Sequence, residues 1–421
     1  MRITELLEFN PPTRLVKSES YPFIEMALLP VSERDIPGYE HRAAGGSGSK
    51  FRNGDTLLAR ITPCLENGKG ALVRNLPGDG LGHGSTEFIV MRPYRKSDED
   101  FVYYLSRLPE FRSFAIQQMT GTSGRQRVNW QSLADFEIPV LDPSIRENIG
   151  STIATLDDKI ELNRRMNETL EAMARAIFKD WFVDFGPTRA KAEGRAPYLA
   201  PELWDLFPDA LDDEDKPVGW ETYTLGDLAH HHRATVSPSA EPESTFEHYS
   251  IPAYDAGKEP KLDSGDSIKS NKTVVPEGAV LLSKLNPEIE RVWLPYPKGG
   301  LAQVASTEFL AFTPLAEATR AVLFCMFKSE AFRAEMAAMV TGTSKSHQRV
   351  SPKSLLTREV LTAAPQLLDA FDEMARPFLN RLLANRREAR TLAETRDLLL
   401  PKLMSGEIHL AESDKAVEAV A

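Results

Sequence analysis

Cysteine is scarce in this chain. Among 421 residues there are two, Cys64 and Cys325, too few and too far apart for a disulfide framework and without the CxxC spacing of a zinc site. No apolar run approaches the roughly 20 residues that span a bilayer, and the opening "MRITELLEFNPP" lacks the apolar core of a secretory signal. A soluble protein of a reducing cytoplasm is therefore expected. Nucleotide motifs are missing too. There is no GxxxxGK[ST] loop, and the glycines of "GDGLGHG" at 78–84 lack the strand-then-helix setting of a dinucleotide site. "NPPT" at 10–13 imitates an adenine-methyltransferase motif, but Thr13 stands where the stacking aromatic belongs. No catalytic constellation is legible, so a non-enzymatic role is expected.

A large excess of positive charge is also lacking. The net charge is −11, yet 42% of residues are hydrophobic and 26% charged, a globular composition. Residues 1–145 carry 17 basic and 18 acidic side chains, and 217–365 carry 15 and 17, so both large segments are near neutral. Residues 187–216 are acidic, with 4 basic against 8 acidic. This balance excludes a strong, sequence-blind polycationic grip on phosphates but leaves room for local basic faces.

What is present is a repeat. "STEF" at Ser85–Phe88 returns at Ser306–Phe309, and "TGTS" at Thr120 returns at Thr341. Phe111-Arg112 matches Phe332-Arg333, Gln126-Arg127-Val128 matches Gln348-Arg349-Val350, and "NGDTLLAR" at 53–60 aligns with "EGAVLLSK" at 277–284. Matches in one order at nearly one offset mark a duplicated unit of about 220 residues, too long for a solenoid.

Each unit reads as a domain followed by a helix. Short β-branched runs between Gly, Pro and Asn turns ("TLLARI", "EFIVMRP", "AVLLSKL", "EFLAFTP") predict strands, with one helix before each repeated turn. The fold class expected is α+β with a mixed, barrel-like sheet. After it, Ile149, Ile153, Leu156, Ile160, Asn163, Asn167, Leu170, Ala174, Ile177 and Trp181 step by 4 and 3, a heptad seam. Phe371, Ala375, Phe378, Leu382, Asn385, Ala389, Leu392, Arg396, Leu399 and Leu403 repeat it, with Pro377 expected to break the first turn or two. Two such seams predict an intramolecular antiparallel coiled coil with pseudo-two-fold symmetry, in which Asn163 and Asn385 set the register face to face. A helix of about 36 residues is roughly 54 Å long, more than the roughly 34 Å of one DNA turn. The expected boundaries are 1–145 and 217–365 for the two domains, 146–186 and 366–408 for the helices, 187–216 for an acidic linker and 409–421 for a flexible tail.

"LDDKIELNRRMNETLEAMARAIFKDWFVDF" at Leu156–Phe185 closely resembles the first helical region of the specificity subunits of type I restriction-modification enzymes. The C-terminal "NRRE…LAETRDLLLPKLMSGEI" resembles the second, and "KPVGWETYTLGDL" at Lys216–Leu228 looks like the entry to a second target-recognition domain. The resemblance covers essentially the whole chain. It implies a non-catalytic subunit in which each domain reads one half of a bipartite, asymmetric DNA site. The helices would set the gap and dock two adenine-methyltransferase subunits, and motor-nuclease subunits would complete the complex. S-adenosylmethionine, ATP and magnesium are then expected on the partners, and no cofactor or metal on this chain.

Base reading needs Arg or Lys for guanine and Asn or Gln for adenine, with hydroxyls and backbone amides on phosphate. The repeated turns supply this mixture: Thr122, Ser123, Arg125, Gln126 and Arg127 in one half, Thr343, Ser344, Lys345, His347, Gln348 and Arg349 in the other. Lys50 and Arg52, Lys69, and Lys284 are further candidates, as are Lys269 and Lys272. In the second half "NPEIERVWLP" replaces "CLENGKGALV", so a counterpart of Lys69 is expected to be missing. "WFVDF" at 181–185 is expected to anchor the helix on a domain, and "HHH" at 230–232 to lie in a solvated loop. The reading that competes with DNA binding is a coiled-coil scaffold whose two heads bind proteins.

Overall fold

The computed structural model describes all residues except Gly46, Ser123, Lys298, Glu317, 342–347 and 410–421. The chain divides into two compact units, Met1–Asn163 with Glu388–Ala421, and Arg164–Arg387.

In the first unit one antiparallel sheet runs in the order Leu7–Phe9, Phe88–Pro93, Thr56–Ala59, Gly70–Leu72. A second runs Glu40–Ala43, Ser20–Ile24, Leu81–Gly84, Ser49–Arg52, with its two central strands parallel. In the second unit the order Ala229–His232, Phe309–Pro314, Val280–Ser283, Val292–Trp293 repeats the first sheet. The order Lys261–Ser264, Thr245–Tyr249, Ala302–Ala305, Lys272–Val274 repeats the second, again with the central pair parallel, and Thr235–Val236 adds an edge strand. The two lobes share one topology, so the duplication read from scattered tetrapeptides is a duplication of fold.

The central strands are buried on both faces because successive side chains point to opposite sides. Phe88 and Val90 join Ile24 and Phe51 in one core, while Ile89 and Met91 join helix residues such as Val102 and Phe111 in another. The second unit divides its strand in the same way. Phe309 and Ala311 pack with Tyr249 and Trp293, while Leu310 and Phe312 pack with Leu323 and Phe332.

The single helix expected before each repeated turn is two. In the first unit Glu99–Arg107 and Pro109–Gln117 are separated by Leu108, held extended at ψ 134° by the ring of Pro109. In the second, Arg320–Lys328 and Glu330–Ala338 are separated by Ser329, whose hydroxyl accepts from the Phe332 N–H at 3.2 Å and so starts a new helix.

The long helices are Pro143–Phe182 and Pro365–Ser405. Every seam position of both is buried or half-buried. In the first unit Asp157 meets Arg396 at 2.6 Å, and Asn163 donates to Glu388 at 2.9 Å. In the second, Asn385 donates to Asn167 at 3.0 Å, and the rings of Phe178 and Phe371 lie 5.7 Å apart. Rising numbers on one helix meet falling numbers on the other, so the pairing within each unit is antiparallel.

Four expectations are corrected. Pro377 does not break the second helix. Losing its N–H costs about 3 kcal/mol, but Phe371, Ala375, Leu379 and Leu382 around it are buried, and each large apolar side chain buried stabilises by about 1.5–3 kcal/mol. The first helix ends at Phe182 rather than at Gly186; Phe185 turns left-handed at φ 54° and a short helix, Gly186–Ala192, follows. The acidic stretch after it is not bare linker, since Trp204 and Phe207 are buried. The histidines at 230–232 form a strand rather than a loop, because alternation lets His231 tilt onto Phe312 at 5.2 Å while His230 and His232 share the other face. Burial lowers the pKa of His231 and of His232, helped by neighbouring positive or potentially positive groups. No cluster of three metal-ligating side chains occurs among the described residues.

Candidate nucleic-acid interface

The repeated turn of the first unit is a hairpin, Met119–Thr120 against Arg127–Val128, enclosing residues 121–126. Gly121 sits at φ 129°, a backbone that side chains other than hydrogen resist, and a Cβ there would lie 3.0 Å from the Arg125 carbonyl. The second unit pairs Val340–Thr341 with Arg349–Val350.

Both hairpins are mounted identically. The Val128 N–H donates to the Arg60 carbonyl at 2.9 Å and the Thr62 N–H to the Gln126 carbonyl at 3.0 Å. In the other half Val350 donates to Lys284 at 3.0 Å and Asn286 to Gln348 at 2.9 Å. The same strand ends take hold of the STEF turn: Arg60 N–H donates to Glu87 O at 3.0 Å, and Lys284 N–H to Glu308 O at 2.9 Å. Within that turn the Ser85 and Ser306 hydroxyls accept from the N–H groups of Glu87 and Glu308.

The side chains then close the arrangement. Arg127 grips Glu87 through Nε and a terminal nitrogen at 2.7–3.0 Å, and Arg349 grips Glu308 in the same way at 2.9–3.1 Å. The hydrogen bonds from Arg127 hold the Glu87 carboxyl below its ordinary range, so it stays charged. The two motifs that the repeat displays most clearly, STEF and QRV, are the two ends of one ion pair.

This geometry sorts the candidates. Thr122 and Arg125 are exposed on the loop, and Gln126 is half-buried where its carbonyl is tied down. Arg127 and Arg349 are about two-fifths exposed, at 40% and 41%, with part of each guanidinium committed to glutamate. Ser123, Thr343, Ser344, Lys345 and His347 lie outside the described residues. Lys50 and Arg52 stand on the outer face of the strand Ser49–Arg52, whose Phe51 is buried, so alternation presents both cations outward. Lys69 is occupied: its ammonium donates to the Met26 carbonyl at 2.9 Å. It also has a counterpart after all. Ser283 N–H donates to Arg291 O as Ala59 N–H does to Lys69 O, and Arg291 is paired with Asp255 at 2.7 Å. Lys269 and Lys272 donate to local groups of the loop 266–270. Lys284 is half-buried at the strand end beneath the second hairpin, with no ion-pair partner among the described residues.

Sequence reasoning passed over Glu87, Glu308 and Arg60. The signal was present. Each glutamate lies inside the repeated STEF, and Arg60 ends the run that aligns with the run ending in Lys284.

The helices are bound to these lobes by buried charge. In the second unit Lys328, 1% exposed, reaches Glu171 of the long helix at 2.5 Å and Glu290 at 3.0 Å. In the first unit Arg146 of the helix pairs with Asp98 at 2.9 Å, and Asp157 accepts from Tyr104 at 2.7 Å. Trp181 is buried against Phe207 and Phe371, as expected of an anchor.

No family model matches the chain. It is similar to the MjaIX type I restriction enzyme specificity subunit of Methanocaldococcus jannaschii, 23% identical over 329 residues that cover 74% of this chain and 70% of that protein. The HindI type I restriction enzyme specificity subunit of Haemophilus influenzae is 23% identical over 444 residues, 89% of each chain. Among solved structures, the S subunit of a type I restriction-modification system from M. genitalium superposes with a TM-score of 0.53 over 96% of this chain and 95% of that one, at 14% identity. That likeness is one of fold.

Proposed function

We propose, from the premise that this chain belongs to the type I restriction enzyme specificity subunits, that it is the DNA-reading subunit of such a complex. Each α+β lobe reads one half of a bipartite, asymmetric site in duplex DNA. The two long helices set the distance between the halves and dock two adenine-methyltransferase subunits, and motor-nuclease subunits join the same assembly. The chain performs recognition; chemistry and its cofactors reside on the partners.

One observation carries this reading. Two lobes of one topology hold the same hairpin on the same Glu–Arg pair, while the hairpin contents differ: Gly124-Arg125 in one, Lys345-Ser346-His347 in the other. Identical mounts with different tips suit two readers of different sequence. A scaffold binding proteins through both heads has no comparable need to keep the mount while changing the tip.

Footprinting with and without methyltransferase partners tests it. Alone, the near-neutral lobes should bind weakly and with strong salt sensitivity; in the complex, protection should be tight and bipartite. A verified complex that protects no DNA would favour the scaffold.

A further inference from the structure

Arg60 and Lys284 occupy the same place in the two lobes. Each follows the last residue of a buried strand, Thr56–Ala59 or Val280–Ser283. Each gives its N–H to the glutamate of STEF and its carbonyl to the valine of QRV. Backbone bonds therefore thread this residue between the two repeated motifs, whatever the loop contains, and in both lobes it is a cation.

The local charge does not balance. Glu87 uses both oxygens on Arg127. Arg60 Nε lies 3.6 Å from the nearer of them, beyond hydrogen-bond reach, and is buried without a hydrogen-bond partner. Its side chain remains 30% exposed. Two guanidinium groups thus share one carboxylate, leaving one positive charge over. In the second lobe Arg349 holds Glu308, and Lys284, tied to both motifs by the same backbone bonds, is the cation at the corresponding position.

We propose that Arg60 and Lys284, each set beside its Glu–Arg pair, are the phosphate seats of the two lobes: the sequence-independent contact to one phosphodiester per half-site. This rests on the DNA reading above. A cation fixed by backbone bonds at one position in two lobes with different tips suits the feature every duplex shares, its backbone. The residues between the hairpin strands are left to read base edges. The Glu–Arg pair is then a positioning device that orients hairpin and seat together.

The test compares the assembled complex carrying Arg60→Gln, Lys284→Gln or Arg60→Lys with wild type, on a duplex bearing the mapped site and on a scrambled duplex, across a salt series. Each glutamine variant should lower the slope of log affinity against log salt by about 0.9 on both duplexes, weaken binding to both alike, and leave the methylated motif unchanged. Arg60→Lys should keep the wild-type slope, as the lysine of the second lobe implies. Slopes equal to wild type in both glutamine variants, or a changed base preference, would overturn the assignment while the DNA reading stands. A wild-type complex that binds neither duplex would overturn the DNA reading, and this inference with it.

Discussion

Glu308 and Arg349 are 41 residues apart along the chain and 2.9 Å apart in space; Glu87 and Arg127, 40 apart, meet at 2.7 Å. The pair explains why STEF and QRV recur together. Neither glutamate could change alone without leaving its arginine unanchored, so the duplication kept both ends while the residues between diverged.

Replacing Glu87 with Gln should therefore leave melting almost unchanged, because Arg127 is 40% exposed and partly solvated pairs contribute little to stability. Affinity for the DNA site should drop several-fold, since the hairpin loses its orientation. Placing Arg at 87 together with Glu at 127 should recover part of the loss. The check is anisotropy binding beside a melting curve. A large fall in melting temperature with unchanged affinity would contradict a positioning role.

Exchanging the first hairpin tip for the second is a test of specificity. Writing Lys-Ser-His in place of Gly124-Arg125 should change the bases recognised in one half-site and leave the other half-site and the gap intact. Mapping methylated adenines in a host carrying the variant reads this directly. An identical motif in variant and wild type would remove the tip from base reading.

The Asn pairing expected between the helices is redrawn by the structure. Asn163 and Asn385 are fully buried, but their amide nitrogens serve Glu388 and Asn167. Replacing both Asn167 and Asn385 with Leu should raise the melting temperature or leave it level. Asn385→Leu alone should lower stability by about 1 kcal/mol, the low end for leaving a polar partner unsatisfied, since Asn167 is half-buried. Thermal denaturation of the single and double variants distinguishes these outcomes; a single variant as stable as the double would show that the pair is not coupled.

Glu171 and Lys328 make a pH-dependent contribution. Burial acts to raise the Glu171 carboxyl, but Lys328 outweighs it and holds the group below its ordinary value of 4.5. A depressed carboxylate stabilises the fold above the unfolded value and loses that contribution as pH falls through the folded one. Glu171→Gln should thus destabilise at pH 7 by about 3 kcal/mol, the low end for a broken buried pair, since Glu290 still faces Lys328. The gap between variant and wild type should close in acid, below about pH 4.5, and a gap independent of pH would contradict the assignment.

Much of this architecture was legible without coordinates. Heptad spacing marked both long helices because burial along a helix must recur every three to four residues, and the seam from Ile149 to Trp181 is buried or half-buried throughout. Short apolar and β-branched runs bounded by Gly, Pro and Asn turns marked the central strands, which are buried on both faces. What escaped was decided at a distance. Pro377 reads locally as a break, and only the packing of Phe371, Ala375, Leu379 and Leu382 keeps the helix whole. The histidines read as a polar loop until a neighbouring strand, Phe309–Pro314, pairs with them.

The sequence by itself determined that one unit occurs twice, that each unit joins a mixed sheet to a long helix, and that the repeated turns differ at their tips. These are properties of periodicity and repetition, which a chain carries along its own length. Tertiary structure alone decided that Arg127 answers to Glu87 and Arg349 to Glu308, that Lys69 donates to a carbonyl, and that Arg60 Nε lies 3.6 Å from Glu87 without a hydrogen-bond partner. The reason is physical: a side chain's charge is written in the sequence, but whether that charge is already paired or hydrogen-bonded depends on partners some 40 residues away, which only folding brings within 3 Å.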